Sequence, residues 1–176
     1  MANFDLFLPM LLKFEGGYVN DPADPGGETN KGITMKTFKA FAKPLLGIAP
    51  TSANLKALTN KQAGVIYKSQ YWDKTKGDDI ALQELANFLC DFYVNAGANA
   101  TRVFQKVLKK MGGELTIGGG IGPETMKALA GLDQKDVYRN YRQARLEYYQ
   151  GLVKKNPKLK KFLKGWTNRV NAFPTL

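Results

Sequence analysis

Hydrophobic residues recur at helical spacing along most of this chain. Near the N-terminus the recurring positions are Phe4, Phe7, Leu8, Leu11 and Leu12. This 3.6-residue period predicts an amphipathic helix over residues 3–15. The strongest apolar pattern covers residues 79–95, where apolar side chains on almost every side predict a mostly buried central helix.

The same periodicity and its stop signals predict the remaining elements. Thr34 and Thr59 precede two helical patterns and are expected N-caps. Residues 115–122, which include three consecutive glycines, are expected to form a turn or a short hairpin. The further predicted helices cover residues 35–42, 61–71, 98–111, 123–129, 133 or 136 to 154, and 157–170. The sequence therefore predicts an all-α fold, with a short hairpin or irregular loop near residues 15–34.

The segment from Glu15 to Thr34 cannot continue as a helix. It contains five glycines, two prolines and four carboxylates, and prolines and glycine pairs favour turns. Glu15 is therefore expected to end the first helix, at the negative end of the helix dipole. A charged carboxylate is disfavoured there, which suits a proton donor; a solvated glutamate at a helix end is the alternative that position alone leaves open.

Two residue types that are scarce in this chain exclude several chemistries. There is no histidine among the 176 residues, and Cys90 is the single cysteine. A zinc site held by histidine, a Ser-His-Asp triad and a Cys-His pair are therefore excluded. Carboxylate chemistry remains, and glycoside hydrolysis is its common form. No metal or cofactor is expected, and Cys90, within an apolar run, is expected to be a buried structural thiol.

The net charge of +11 indicates an affinity for polyanions. Nucleic acid, an anionic membrane surface and a bacterial cell wall would each satisfy it. No nucleic-acid recognition motif is found, so nucleic acid is not expected as a partner. The apolar stretch Phe4–Leu12 lacks the flanks of a signal peptide, and no run is long enough to span a bilayer.

Three ordered motifs within the glycine-rich segment from Glu15 to Thr34 resemble those of glycoside hydrolase family 108, a family of lysozyme-like N-acetylmuramidases. They are Glu15-Gly-Gly-Tyr, Asp24-Pro-Gly-Gly-Glu-Thr and Lys31-Gly-Ile-Thr. The resemblance continues through Tyr71-Trp72 and through Asp91 to Gly97. Further on, Gln105 and the run from Ile121 to Thr125 are similar to a peptidoglycan-binding module. The resemblance covers roughly residues 5–170 and implies a catalytic part over 1–96 and a helical binding part over 97–176.

The resemblance implies a lysozyme-like fold and cleavage of the β-1,4 bond between N-acetylmuramic acid and N-acetylglucosamine. Glu15 falls on the family's catalytic glutamate and is expected to be the general acid. Asp24 and Thr29 look like the second and third members of the Glu–Asp–Thr arrangement of phage-type lysozymes, although Asp24 could equally cap a turn. Glu28 is a candidate supporting residue, and Asp21 is expected to be a turn residue.

Substrate-binding residues are expected on the loop and on two later helices. The candidates are Tyr18, Tyr71, Trp72, Asp91 and Asn95. Paired aromatic residues at a helix end suit stacking on a sugar ring, and core packing is the alternative for Tyr71 and Trp72. Asp91 and Asn95 are polar groups on a buried helix, so they either support neighbouring structure or face the cleft.

Two other function classes remain open at this point. A lytic transglycosylase would cleave the same bond with a single glutamate. A non-catalytic protein that binds the cell wall or assists secretion, or a basic nucleic-acid binder, would account for the charge alone. The expected partner is the peptidoglycan glycan strand, with peripheral contact to an anionic membrane or wall, and the expected state is a monomer. The protein is expected to be made in the cytoplasm and to act in the periplasm or wall after release through a holin or a secretion route.

Overall fold

The computed structural model describes residues 1–21 and 27–176. Within them the chain forms two compact units, one of residues 4–70 and one of residues 71–176 with residues 1–3. This spatial division falls at residue 70, whereas the domain boundary predicted from the sequence lies at residue 96. That predicted boundary concerns sequence modules and stays a prediction.

The unit of residues 4–70 is built from short helices and one small sheet. Its first helix ends at Glu15, as the periodicity predicts, and it accommodates Pro9 in its interior. The elements in chain order are α1 (Phe4–Glu15), β1 (Val19–Asn20), β2 (Glu28–Asn30), β3 (Ile33–Thr34), α2 (Met35–Phe41), a π-helical turn (Ala42–Leu46), α3 (Ser52–Lys56) and α4 (Asn60–Tyr67), after which a second π-helical turn (Lys68–Trp72) begins.

Both predicted N-caps are confirmed in this unit. The Thr34 hydroxyl accepts a hydrogen bond from the Thr37 N–H at 3.2 Å. Thr59 forms a reciprocal capping box with Gln62, in which each side chain accepts from the backbone N–H of the other residue. These caps fix the starts of α2 and α4, and α4 carries a residue of the site described below.

The strands β1, β2 and β3 form a three-stranded antiparallel sheet in that order. Thr29 on the central strand lies opposite Val19 on one side and Thr34 on the other. Lys31 and Gly32 connect β2 to β3 with positive φ angles of 52° and 77°, as a type I′ hairpin turn requires. The hairpin expected near Glu15 is therefore present.

The unit of residues 71–176 consists of longer helices around an aromatic core. Its elements are a 3₁₀ turn (Gly77–Asp79), α5 (Gln83–Ala96), α6 (Ala98–Lys110), α7 (Pro123–Ala130), α8 (Gln134–Lys155), a 3₁₀ turn (Pro157–Leu159) and α9 (Lys160–Asn171). The Phe88 ring packs edge-on against Tyr138, Tyr141 and Phe173. Cys90 is fully buried, as predicted, and burial raises the pKa of its thiol well above the ordinary value.

One prediction for this unit requires correction. The central helix begins at Gln83 rather than at Asp79, because Ile80 and Leu82 have extended backbone after the 3₁₀ turn. Residues 115–122, for which a turn or a short hairpin is predicted, form a loop that bends at Gly119 and Gly120 and has no strand pairing. Gln105 holds this loop, since its amide donates to the Gly120 carbonyl at 2.8 Å and accepts from the Gly119 N–H at 2.8 Å. The turn alternative is therefore confirmed, and the buried Gln105 side chain holds the loop in place.

The fold is mostly helical, as predicted. Across residues 1–21 and 27–176, none of the helices has a stretch long and apolar enough to cross a membrane.

Candidate active site around Glu15

Glu15 is the last residue of α1 and is half-buried. The Gly16 N–H donates to the Leu12 carbonyl at 3.2 Å, and Gly16 has a φ of +74°. A left-handed glycine directly after the last helical residue is a common helix stop. The sequence therefore predicts the position of this carboxylate correctly, at the point where the helix gives way to the sheet.

The turn between β2 and β3 lies directly against the Glu15 side chain. A Cβ atom added to Gly32 would stand 2.6 Å from Glu15 Oε2 and 2.8 Å from Glu15 Cγ, and closer still to the hydroxyl oxygen of Tyr67. Real Cβ atoms do not approach other heavy atoms so closely. Gly32 is thus required both for its positive φ and for the space that the carboxylate and the phenol occupy.

Tyr67 completes this arrangement from α4. Its side chain is buried, and its hydroxyl donates to the Lys31 carbonyl at 2.8 Å. One side chain thereby anchors the β2–β3 turn and brings a hydroxyl oxygen to the same point as the Glu15 carboxylate. The first helix, the hairpin and α4 together fix where the carboxylate can stand.

Neither Gly32 nor Tyr67 is among the predicted site residues, although Gly32 lies within the Lys31-Gly-Ile-Thr motif. The signal for Gly32 is the Lys31-Gly32 pair between two short β-type runs, which is typical of a tight hairpin turn. Tyr67 gives no such signal, because its position on α4 is that of an ordinary core residue.

The two residues expected to assist Glu15 lie on the same segment. Thr29 occupies the central strand and is half-buried. Asp24 lies outside the described residues. The roles of both stay predictions.

A second group of contacts in this unit involves Tyr18 and Glu28. The Tyr18 hydroxyl donates to Glu28 Oε1 at 3.0 Å, and Ser52 Oγ donates to the same oxygen. Partial desolvation, followed by the Glu28 hydrogen bond and charge, raises the pKa of the Tyr18 hydroxyl. Lys56 Nζ lies 5.2 Å from the centroid of the Tyr18 ring, within cation–π range. Glu28 therefore joins β2 to α3 and orients Tyr18, whose role toward substrate stays a prediction.

Asn30 ties the sheet to α3 at a neighbouring point. Its buried amide donates to the Leu55 carbonyl at 2.9 Å and to the Lys56 carbonyl at 3.1 Å. These two bonds satisfy carbonyls at the end of a short helix, where intrahelical partners are missing. The hairpin that carries Gly32 is thus held by Asn30, directly before the turn, as well as by Tyr67 at the turn itself.

The expectation that Trp72 stacks on a sugar ring is corrected by its burial. Trp72 is fully buried, and its indole N–H donates to Asp78 Oδ1 at 2.7 Å. The ring packs so tightly on Gly77 that a Cβ there would overlap it. The face of the indole ring is covered by residues of the unit 71–176, so Trp72 is a core residue. Tyr71 is half-buried and packs edge-on against Tyr93 at 6.1 Å between centroids, and its role stays a prediction.

Asp91 also differs from the expectation of a substrate-binding residue. It is fully buried and paired with Arg145 at 2.8 Å and Arg169 at 2.7 Å. A carboxylate among apolar helices needs such partners, and this pairing leaves no exposed surface for a ligand. Asn95, one turn later, is exposed and accepts a 3.5 Å hydrogen bond from the Tyr149 hydroxyl, so its role toward substrate stays a prediction.

Comparison with known proteins identifies the family of this chain. Residues 8–97 match the family model described as glycosyl hydrolase 108, and residues 99–171 match one described as a predicted peptidoglycan domain. SagA of Brucella abortus has a similar solved structure with a TM-score of 0.76 and 34% sequence identity, over 97% of this chain and 90% of that one. No significant match was found among curated protein sequences. The chain belongs to the glycosyl hydrolase 108 family, and with its peptidoglycan domain it is a glycosidase that acts on peptidoglycan.

Proposed function

We propose that this protein is an N-acetylmuramidase that cleaves the β-1,4 bond between N-acetylmuramic acid and N-acetylglucosamine, with Glu15 as the general acid. The observation that supports this role is the convergence of the Glu15 carboxylate with Gly32 and the Tyr67 hydroxyl. A proton donor must be held within hydrogen-bond reach of the leaving oxygen. The three elements that enclose Glu15 restrict its carboxylate in the way this task requires.

Glu15 gives its proton to the glycosidic oxygen as the bond to the anomeric carbon breaks. The sugar then acquires oxocarbenium character and needs an anionic group or a positioned water on its other face. In the proposed mechanism Asp24 supplies that group and Thr29 assists it. The chain has no histidine, so a carboxylate rather than an imidazole has to carry the proton.

Tyr67 acts through Glu15 rather than on the substrate. Its hydroxyl proton is engaged by the Lys31 carbonyl, so the phenol oxygen has a fixed place beside the carboxylate. Fixing a reactive group in this way lowers the entropy lost in reaching the transition state. Tyr67 and Gly32 are therefore positioning residues in this proposal.

The central test is the variant Glu15→Gln, which keeps the size of the side chain and removes its acid function. We expect lysis of purified peptidoglycan to fall by about 10²- to 10⁴-fold, the usual contribution of a general acid, with an unchanged circular dichroism spectrum. Glu114→Gln is the matched control, because Glu114 is an exposed carboxylate in the other unit. Lysis by Glu15→Gln at the wild-type rate would reject the assignment.

Analysis of the products tests the bond and the reaction type. Mass spectrometry of the released fragments should show N-acetylmuramic acid at a reducing end with one added water. An anhydro sugar at that position would instead identify a transglycosylase, and a reducing N-acetylglucosamine would identify the other β-1,4 bond as the target.

The place of action follows from the substrate in this proposal. The protein acts in the periplasm or cell wall, as a monomer, after release through a holin or a secretion route. Lysis of intact cells only when a membrane-permeabilising partner is co-expressed would support this route.

A further inference from the structure

The C-terminal part of the sequence carries a concentrated positive charge. No aspartate or glutamate occurs in residues 148–176, whereas six lysines fall within residues 154–164. We call these six residues the lysine surface: Lys154, Lys155, Lys158, Lys160, Lys161 and Lys164. They account for more than half of the net charge of +11.

The structure exposes every member of the lysine surface. The six residues lie at the end of α8, in the 3₁₀ turn after it and in the first turns of α9, and all are exposed. Within the described part of the chain, none of them forms an ion pair. The one arginine of this segment, Arg169, is instead engaged with buried Asp91. The lysine charges are thus left to solvent.

The position of two of these lysines is unfavourable for the helix itself. Lys160 and Lys161 open α9, whose first turn contains no acidic residue. The N-terminal end of a helix dipole is positive, and cations there are destabilising. This placement does not help α9 to form, so the two charges are better explained by an external anionic group that they bind.

Phe162 adds an apolar group within the lysine surface. Its side chain is 46% exposed, and Lys161 Nζ lies 5.0 Å from the centroid of its ring. The ring leans on Trp166 at 5.8 Å, and Trp166 stacks on Tyr149 at 4.8 Å. Phe162 is therefore the outermost ring of an aromatic stack that begins in the core, which holds it in place although half of it faces water.

We propose that the lysine surface, together with Phe162, docks on an anionic lipid bilayer. Closely spaced lysines on an amphipathic helix attract anionic headgroups, and an aromatic ring among them enters the boundary between headgroups and acyl chains. Lysine is a compact point charge that needs no directional, paired acceptor, unlike arginine. A surface of lysines around one aromatic ring therefore fits a fluid headgroup layer better than a nucleic acid read by arginine forks.

The test is co-sedimentation of the full chain with lipid vesicles. We expect binding to vesicles of phosphatidylglycerol and phosphatidylcholine, no binding to phosphatidylcholine alone, and weaker binding as salt is raised. The variant Lys160→Gln/Lys161→Gln/Lys164→Gln should bind on the order of a hundredfold more weakly, because each lysine near an anionic surface contributes roughly fivefold.

A second triple variant distinguishes binding through the lysine surface from binding through the net charge of the whole protein. Lys106, Lys109 and Lys110 are exposed lysines on α6 of the same unit, so Lys106→Gln/Lys109→Gln/Lys110→Gln removes the same charge elsewhere. It should keep binding within a few-fold of the wild type. Equal losses in the two triple variants would overturn the proposal, since net charge alone would then explain the binding.

Phe162→Ser tests the apolar contribution separately from charge. Burying about half of a phenylalanine side chain is worth roughly tenfold in partition, and this loss should persist at high salt. Unchanged vesicle binding by Phe162→Ser would contradict insertion of the ring.

Binding of the same variants to lipid-free peptidoglycan tests whether the lysine surface binds wall polymer instead. If Lys160→Gln/Lys161→Gln/Lys164→Gln loses binding to peptidoglycan and the wild type does not bind vesicles, the surface binds wall polymer and the lipid proposal is wrong. Circular dichroism of each variant establishes that it is folded.

Discussion

The two compact units of this protein obtain their order in different ways. In residues 4–70 the candidate site depends on short elements and on single close approaches, such as Gly32 against Glu15 and Tyr67. In residues 71–176 long helices enclose an aromatic core and one buried charge cluster around Asp91. The contacts in residues 4–70 thus place a reactive group, whereas those in residues 71–176 mainly pack a core.

The charge cluster of the helical unit is held on several sides. Arg145 is fully buried and donates to Asp91 Oδ2, while Arg169 donates to both carboxylate oxygens. The Arg145 guanidinium also lies 4.9 Å from the Phe88 centroid and 4.7 Å from the Phe92 centroid, which allows cation–π attraction. The cluster joins α5, α8 and α9, so its loss should affect the whole helical unit.

The largest expected effect is therefore on stability, from the variant Asp91→Ala. It leaves Arg145 buried without its carboxylate, and breaking a buried pair in this way costs about 3–5 kcal/mol. Chemical denaturation monitored by circular dichroism measures the loss. Asp136→Ala is the control, because the Asp136–Arg139 pair is about half exposed and such pairs contribute about 1 kcal/mol or less. Similar losses in the two variants would show that Asp91 has no special role in packing.

The same contrast explains what the sequence can predict. Apolar periodicity locates α1 and α6 to within a residue or two, and threonine caps locate α2 and α4, because these signals are local. The pairing of buried Asp91 with Arg145 and Arg169 cannot be predicted in this way, because the two arginines are 54 and 78 residues away in the chain. The sequence also leaves sugar stacking and core packing open for Trp72. Its hydrogen bond to Asp78 and its contact with Gly77 depend on how the backbone turns after the helix, which has no periodic signal.

The candidate site is predictable in part. Glu15 is located by the end of a helical pattern and by the family motif. The contact of Glu15 with Gly32 and Tyr67 depends on a turn with two positive φ angles and on a core tyrosine of α4. Neither has a periodic signature, so the restraint on the carboxylate is apparent only in three dimensions.

After Glu15→Gln, the largest effect on activity is expected from Gly32→Ala. The added methyl group would overlap Glu15 Oε2 and the Tyr67 hydroxyl, so the carboxylate has to move. A displacement of about 1 Å at a reacting group can cost about a hundredfold in rate. The measurement is lysis of purified peptidoglycan by folded protein.

Gly47→Ala is a closely matched control for this variant. Gly47 has a φ of +67°, close to the +77° of Gly32, and nothing lies within 4 Å of its added Cβ. Both variants therefore carry a similar backbone strain, and only one of them disturbs the carboxylate. Equal loss of activity in the two would attribute the effect to strain and remove Gly32 from the site.

A smaller effect is expected from Tyr67→Phe, which keeps the ring and removes the hydroxyl. The Lys31 carbonyl then loses its donor and the turn beside Glu15 loosens. We expect kcat to fall roughly tenfold with KM nearly unchanged, because a positioning residue acts on the reacting group rather than on substrate binding. Tyr138→Phe removes another buried hydroxyl, one that donates to the Pro174 carbonyl at 2.6 Å in the other unit, and should leave kcat unchanged.

The smallest effect at neutral pH is expected from Tyr141→Phe, and it becomes distinctive in alkali. Burial raises the pKa of Tyr141 well above its ordinary value of 10.0, and its hydroxyl donates to the Ala100 carbonyl at 2.9 Å. Losing that hydrogen bond costs about 1 kcal/mol.

The sign of the pH effect follows from where the proton is held. Well below pH 10 the Tyr141 phenol is neutral in both the folded and the unfolded protein, and its contribution to stability is fully present. As the pH rises above 10, the unfolded chain releases the proton while folded Tyr141 keeps it, so stability falls by up to about 1.4 kcal/mol per pH unit from this group until its folded pKa is reached. Tyr141→Phe should therefore show a flatter decline in the free energy of unfolding between about pH 10 and 11. Tyr138, whose pKa burial raises less, should give a weaker flattening on substitution. If the free energy of unfolding declined with pH at the same slope in the wild type and in Tyr141→Phe, water would have to reach Tyr141 in the helical core. The unit of residues 71–176 would then not be tightly packed, and its contrast with the unit of residues 4–70 would not hold.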